Sequence, residues 1–195
     1  MTAQAATTPL VKHLTFSAEI VPQTVQALIQ VISKYQTAGV QEVYFTLTTA
    51  GGETRAGVHL YNFLRGMPFR LTVHNIGYVD SIGTIVFLAG DRRYANPHAT
   101  FMFHGVGIRL PQAQSLDEPL LRDKLKIILR DQERLGSIIQ ERTNLDGKAV
   151  AALFRKAQTK DAAWAADHAF IDETKEFKVP PGTPIDSLTV QSKAT

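Results

Sequence analysis

The chain has 195 residues, 44% hydrophobic and 20% charged, which fits one soluble domain large enough to bury a real core. Its formal net charge of +3 is spread along the chain without a Lys/Arg block, a solvated surface rather than a nucleic-acid footprint. The absence of cysteine excludes disulfides, thiolate catalysis and cysteine-bound zinc, and is compatible with a cytoplasmic setting.

Residues 1–10 are small and polar and are expected to fray. MTAQAATTPLVKH has no apolar signal-peptide core, and no apolar run approaches the ~18 residues of a membrane span. VKHLTF at 11–16 reads as a short strand. Pro22 opens a helix in which Val25, Leu28, Ile29 and Ile32 share a face, and Gly39 stops it. EVYFTLT at 42–48 reads as a strand, and 55–65 as a helix ended by Gly66-Met67-Pro68. FRLTVHNI at 69–76 is the next strand. Residues 82–89 read as a buried helix, which periodicity alone does not separate from a strand, and Tyr94 and 99–103 as short strands around Pro97.

The clearest helix is 117–142, where Leu121, Leu125, Ile128, Leu135, Ile138 and Ile139 form an apolar stripe, read as core or subunit interface. A helix at 146–156 comes next, and another at 161–168 capped by Asp161. The tail from Val179, with Pro180, Pro181 and Pro184, is expected to be extended or disordered. The chain thus divides into a flexible 1–10, a folded 11–178 and a Pro-rich 179–195. Alternating strands and helices predict an α/β fold with a largely parallel sheet, its βα units wound right-handed into superhelical turns.

Three features carry chemistry. Ser81 sits in Gly77-Tyr78-Val79-Asp80-Ser81-Ile82-Gly83, at a strand-to-helix turn. His104 closes the strand-like run Ala99-Thr100-Phe101-Met102-Phe103. Gly51-Gly52 ends another strand. A nucleophile, a base and backbone N–H donors are what acyl transfer needs. Taken alone, Ser81 would be a helix N-cap, His104 a structural histidine, like His74, His98 and His168, and the Gly pair a turn. Together they favour the catalytic reading. Asp80 points away from its neighbour Ser81 and is expected to bind backbone or a cation. No His/Asp/Glu cluster has metal-ligand spacing, and no cofactor is implied.

Thr49-Ala50-Gly51-Gly52 stands where the ClpP family has Ser-Pro-Gly-Gly after a strand. Gly77 to Gly83 matches that family's Gly-x-x-x-Ser-x-Gly turn, and Met102-Phe103-His104 its Met-Ile-His strand end. In order and spacing, the chain resembles ClpP, the proteolytic subunit of the ATP-dependent Clp proteases, over roughly residues 11 to 173. The resemblance implies the ClpP/crotonase fold, a superhelix of ββα units with a protruding long helix. It implies Ser81 as nucleophile, His104 as general base, and the N–H groups of Gly52 and Ile82 as oxyanion hole. It further implies a serine endopeptidase acting on peptides within a homo-oligomeric ring.

Three departures qualify this. Aligning the 161–165 helix start puts Ala157 where the family has its third triad member, an Asp. Asp161 is the nearest carboxylate, the candidate third member, and is better explained as an N-cap. The segment after His104 is altered, and Pro111 removes a backbone donor there. Only residues 1–10 stand where the family has an axial loop and strand, which counts against docking to an AAA+ unfoldase. The alternatives are a weakly active or non-catalytic ring subunit, favoured by Ala157, and crotonase-like acyl-CoA chemistry, disfavoured by the Ser81/His104 pair.

Overall fold

A computed structural model of the chain describes residues 10–108 and 117–189. Pro111 lies outside them, as do most of the first ten residues. Strand β1 (Val11–Ser17) leads into α1 (Pro22–Thr37), with Pro22 in its first turn and Gly39 at φ 70 just past its end. Then come β2 (Glu42–Thr49), α2 (Thr54–Arg65), β3 (Arg70–Asp80) and α3 (Ile82–Phe87). Next are β4 (Arg92–Ala95), β5 (Thr100–Phe103), α4 (Glu118–Arg142) and α5 (Gly147–Lys156). The chain continues through β6 (Gln158–Asp161), α6 (Ala162–Asp167), β7 (Glu173–Thr174) and β8 (Ile185–Thr189).

One sheet of eight strands carries the fold, in the order β6-β5-β3-β2-β1-β8, with β4 joining β3 to β7. Every pairing is parallel except β5 with β6. This is the expected mixed α/β superhelix. Strand β3 is the pivot. Its first half pairs β4 through Thr72–Asn75, and its end pairs β5 through Tyr78–Asp80. Between the halves its register against β2 slips, Leu47 facing Asn75 but Thr49 facing Val79. The fully buried Asn75 pins this irregularity. Its Nδ2 donates to the Thr100 carbonyl at 2.8 Å, and its Oδ1 accepts from the Gly77 N–H at 3.0 Å. Both polar ends of a buried amide are thereby satisfied.

The core lies between the sheet and α1, α2, α3 and the second half of α4. Phe87, Phe101, Phe103 and Phe170 interlock there, centroids 5.0 to 5.7 Å apart. The long helix is tied to α3 by Arg142, whose Nη2 and Nε donate to the carbonyls of Gly90 (2.7 Å) and Leu88 (3.1 Å). Only the second half of the α4 stripe, Leu135, Ile138 and Ile139, is core. Leu121, Leu125 and Leu129 stand 50%, 53% and 54% exposed, so the first half protrudes. Among the described residues no helix is long and apolar enough to cross a membrane.

Three short strands depart from the sequence reading. β6 and β7 were not expected, and the tail expected to be extended or disordered places β8 beside β1. Its side chains are mostly exposed, so backbone pairing and the Tyr35 hydroxyl, which donates to Asp186, hold it there.

A polar-aromatic cluster covers one face of the sheet. His74 is buried, with Nδ1 2.7 Å from the Tyr44 hydroxyl and Nε2 3.1 Å from the Lys175 carbonyl. The carbonyl can only accept, so Nε2 carries the proton and Nδ1 accepts from Tyr44: the neutral ring is fully bonded. Lys175 Nζ lies 3.4 Å from the Tyr94 ring centroid, closing the cluster. Burial, reinforced by the Lys175 charge, lowers the His74 pKa to about 4 from 6.5. An unfolded chain takes up a proton near pH 6.5 that folded His74 refuses until about pH 4, so this contribution is complete above 6.5 and is lost as pH falls to 4. Denaturant titrations at neutral pH and near pH 4 should show a smaller acid-induced loss for His74→Phe than for wild type. Equal losses would remove His74 from the acid response.

Candidate active site

Strand β3 ends in a sharp reversal at Ser81, with φ 56 and ψ −125. That is a strained conformation for a residue with a side chain. It is fixed from both sides: the Ser81 N–H donates to the Met102 carbonyl at 2.8 Å. The Ser81 carbonyl accepts from the Thr84 N–H at 3.0 Å and the Thr84 hydroxyl at 2.7 Å. Ser81 occupies the N-cap position of α3, yet its side chain makes no capping bond. Among the described residues its hydroxyl has no hydrogen-bond partner. The N-cap reading therefore does not account for this serine.

The glycine pair lies directly against it. A Cβ on Gly51 would stand 2.7 Å from Ser81 Cβ and 2.9 Å from the Asp80 carbonyl oxygen. Gly52 bridges to Ile20, where Ile20 N–H donates to the Gly51 carbonyl (2.7 Å) and Glu53 N–H to the Ile20 carbonyl (2.8 Å). In a parallel bridge these bonds use the residues either side of Gly52, leaving its own N–H on the other side. With φ 149, Gly52 has its missing side chain against the Ile20 backbone, so no other residue fits without movement. The Ile82 N–H is the first of α3 and has no intrahelical acceptor. Among the described residues neither N–H donates a hydrogen bond.

His104 comes directly after β5, and β5 is held beside the end of β3 by the Tyr78–Thr100, Val79–Phe101 and Asp80–Met102 register. The His104 Nδ1 lies 2.7 Å from the Gly105 carbonyl. A carbonyl only accepts, so Nδ1 carries the proton and Nε2 keeps the lone pair. Ser81, Gly52, Ile82 and His104 all line one cavity of about 900 Å³, walled on the far side by Ile127, Asp131 and Leu135 of α4 and by Phe154 of α5. Among the described residues no hydrogen bond joins His104 to Ser81. Asp80 does not line this cavity. Burial pushes its carboxyl above the ordinary range, against the opposing pull of the Met102 N–H and the His104 charge.

Asp161 is not brought to His104. Its Oδ1 accepts from the Trp164 N–H at 2.8 Å, capping α6. The antiparallel β5–β6 register pairs Thr100 with Asp161 and Phe103 with Gln158. His104 follows the Phe103–Gln158 end of this pairing, and Asp161 lies three residues from Gln158 along the strand, roughly 10 Å. In this structure Asp161 is the cap of α6 and pairs with Thr100, at the far end of the β5–β6 pairing from Phe103. Ala157 itself has φ 47, at the C-terminus of α5. Among the described residues no group of three or more His, Asp or Glu could hold a metal ion. Two features escaped the sequence reading, the Asn75 pin and the buried Asp131. Neither carries a motif.

The sequence model of the Clp protease family matches residues 11–177. The chain belongs to the Clp protease family. The resemblance drawn from the three blocks around Gly52, Ser81 and His104 is thus borne out. Among the curated relatives of this Clp protease, the "ATP-dependent Clp protease proteolytic subunit 1" of Leifsonia xyli subsp. xyli is 26% identical over 142 residues, 70% of this chain and 68% of that one. The protein of the same name from Chlamydia abortus is 28% identical over 134 residues, 66% of this chain and 65% of that one. The match thus spans about two thirds of each relative. A ClpP1 mutant from Listeria monocytogenes shares the fold, with a TM-score of 0.74 over 86% of this chain and 92% of that one, at 18% identity.

The cap assignment for Asp161 has a direct check. Asp161→Ala should cost about 1 kcal/mol, lowering the melting temperature by about 2–4 °C, and leave any turnover close to wild type. An unchanged melting point with turnover abolished would reinstate Asp161 as the acid.

Proposed function

We propose that this protein is a serine endopeptidase in which Ser81 is the nucleophile and His104 the general base. The observation that supports this best is the Ser81 backbone. A serine held at φ 56 at a strand-to-helix elbow, its hydroxyl engaged in neither capping nor any other bond, is what a presented nucleophile requires. In the mechanism, His104 Nε2 takes the Ser81 Oγ proton as Oγ bonds to the scissile carbonyl carbon. The carbonyl electron pair moves onto oxygen, which lies between the Gly52 and Ile82 N–H groups. Each such donor contributes roughly 3–4 kcal/mol at the transition state. The tetrahedral species collapses, the C–N bond breaks, and His104 passes its proton to the leaving amine. Water repeats the sequence on the acyl-serine.

The third position is where activity is limited. Ala157 precedes Gln158, the residue paired with Phe103, and offers no carboxylate. The Gly105 carbonyl selects the productive tautomer, but a neutral dipole stabilises an imidazolium far less than an anion does. Losing the acid of a full triad costs about four orders of magnitude in turnover, so the expected activity is weak. This observation also keeps alive the reading of a largely non-catalytic subunit.

The assembly we infer is a homo-oligomeric ring in the cytoplasm. The exposed Leu121, Leu125 and Leu129 of α4 supply an apolar edge for it. An AAA+ unfoldase is the partner class that the relatives' printed "ATP-dependent" suggests.

Fluorophosphonate labelling with intact-mass readout tests the nucleophile. Wild type should gain one adduct and Ser81→Ala none, with peptide hydrolysis lost in step. Hydrolysis by Ser81→Ala at the wild-type rate would refute the assignment. Ala157→Asp, placing a carboxylate where the resemblance calls for one, should raise turnover roughly tenfold or more, and an unchanged rate would show that orientation of His104 is not limiting. Sedimentation showing a monomer at micromolar concentration would refute the ring.

A further inference from the structure

Asp131 is the one buried acid among the described residues, 8% exposed, on the face of α4 that walls the Ser81 cavity. The buried cation elsewhere, Arg93, reaches partners beyond its own strand: its Nη2 lies 3.9 Å from Asp172 Oδ1 and its Nη1 donates to the Arg142 carbonyl at 2.8 Å, while its Nε is unpartnered among the described residues. Asp131 is not so matched. Its only ionic partner among the described residues is Arg134, one turn on along the same helix, whose Nη2 reaches Oδ1 at 3.2 Å from a side chain 44% exposed. Oδ2 accepts no hydrogen bond among the described residues, and it is not among their sealed, unpartnered polar atoms. A carboxylate has about four acceptor positions, and an exposed i,i+3 arginine offsets little of what burying the charge costs.

We propose that Asp131 forms a subsite for a cationic side chain, Arg or Lys, of a peptide bound in the Ser81 cavity. This rests on the reading of that cavity as a peptidase site. The wall beside Asp131 is apolar, made by Ile127, Leu135 and Phe154. Such a wall takes the methylene stem of Lys or Arg while the charged head meets the carboxylate. Lys124 lies on the same helix face but two turns away, about 10 Å along the axis, and forms no ion pair with Asp131 among the described residues. Discrimination comes from the penalties. An apolar side chain leaves the buried carboxylate under-paired, and an acidic one adds like charge.

Binding is measured with the full-length Ser81→Ala protein, which cannot cleave the probe. The probes are fluorescent peptides identical except for one residue, Arg, Lys, norleucine or Glu, walked through each position. At one position Arg and Lys should bind about tenfold or more tighter than norleucine, with Glu weakest. Adding Asp131→Asn should erase that preference without changing the binding of the norleucine peptide by more than a few fold. Equal affinities for Arg and norleucine at every position, or a preference that survives Asp131→Asn, would overturn the proposal. Should Asp131→Asn fail to fold, Arg134→Ala carries the test. Freeing Oδ1 should strengthen the preference for Arg, and an unchanged preference overturns the proposal. Failure of the peptidase reading is seen separately, as absent fluorophosphonate labelling of wild-type Ser81, which does not depend on Asp131.

Discussion

Ser81 can hold its reversed backbone only because three neighbours have given up their side chains. Gly51 lets the end of β2 touch Ser81 Cβ, a Cβ on Gly57 would collide with the Ile82 side chain, and one on Gly83 with Thr49 Cγ2. The elbow itself costs on the order of 1–3 kcal/mol. Helix α3 offsets that strain: every one of its residues is buried, and Arg142 bonds the carbonyls at its far end. The rest of the site hangs on this elbow. The bond from Ser81 N–H to Met102 holds β5 in place and so sets where His104 begins, and the Ile20 bridge turns the Gly52 N–H toward the same space. Ser81, His104 and the Gly52 N–H thus come from three different strand ends, converging because β3 is bent and pinned by Asn75.

Sequence periodicity measures burial, and this decides how much of the fold was legible. Helices α1, α2 and α5 and strands β1, β2 and β3 bury one face or both, so their apolar spacing announced them. Strands β6, β7 and β8 read as QTKD, ET and IDSLT and bury almost nothing. They exist because neighbouring backbones lack partners, a signal carried by no side chain. The α4 stripe, read as core or subunit interface, is core only in its second half. Leu121 and Leu125 keep the same helical rhythm as Leu135 and Ile139, and rhythm alone does not say whether a core or solvent faces it.

At the site, Ser81, His104 and the glycine pair drew attention because acyl transfer demands fixed residue types, and Ser81, His104 and Gly52 do line one cavity. The cap expected of Asp161 was readable too, since a side-chain oxygen before a helix start has one common use. What could not be read was the use of space. Nothing in the sequence distinguishes Asp131, walling a cavity, from the exposed acids of the same helix. Nor does it show that the Ser81 hydroxyl is left without a partner.

With Ala157 at the position where the resemblance calls for an acid, the proposed site lacks more than a hydrogen bond. In a Ser-His-Asp array the carboxylate selects the tautomer and also stabilises the imidazolium that forms when serine gives up its proton. In the proposed mechanism those two tasks are divided. The Gly105 carbonyl suits the first, because it accepts from Nδ1 and leaves the Nε2 lone pair free. No carboxylate of β6 is placed for the second, since its one acid, Asp161, pairs with Thr100 at the far end and caps α6. On the other side stands Asp80 of β3, whose carboxyl burial displaces upward. Asp80 pairs in register with Met102, and His104 follows two residues after Met102, just past the end of β5. A histidine with the right tautomer but a loosely held orientation is a base that works in a fraction of its encounters, and the geometry of Ser81 is preserved all the same. The elbow and the donors are built into the packing of the fold and survive there, whereas the acid is a single side chain at a strand end that no packing requires.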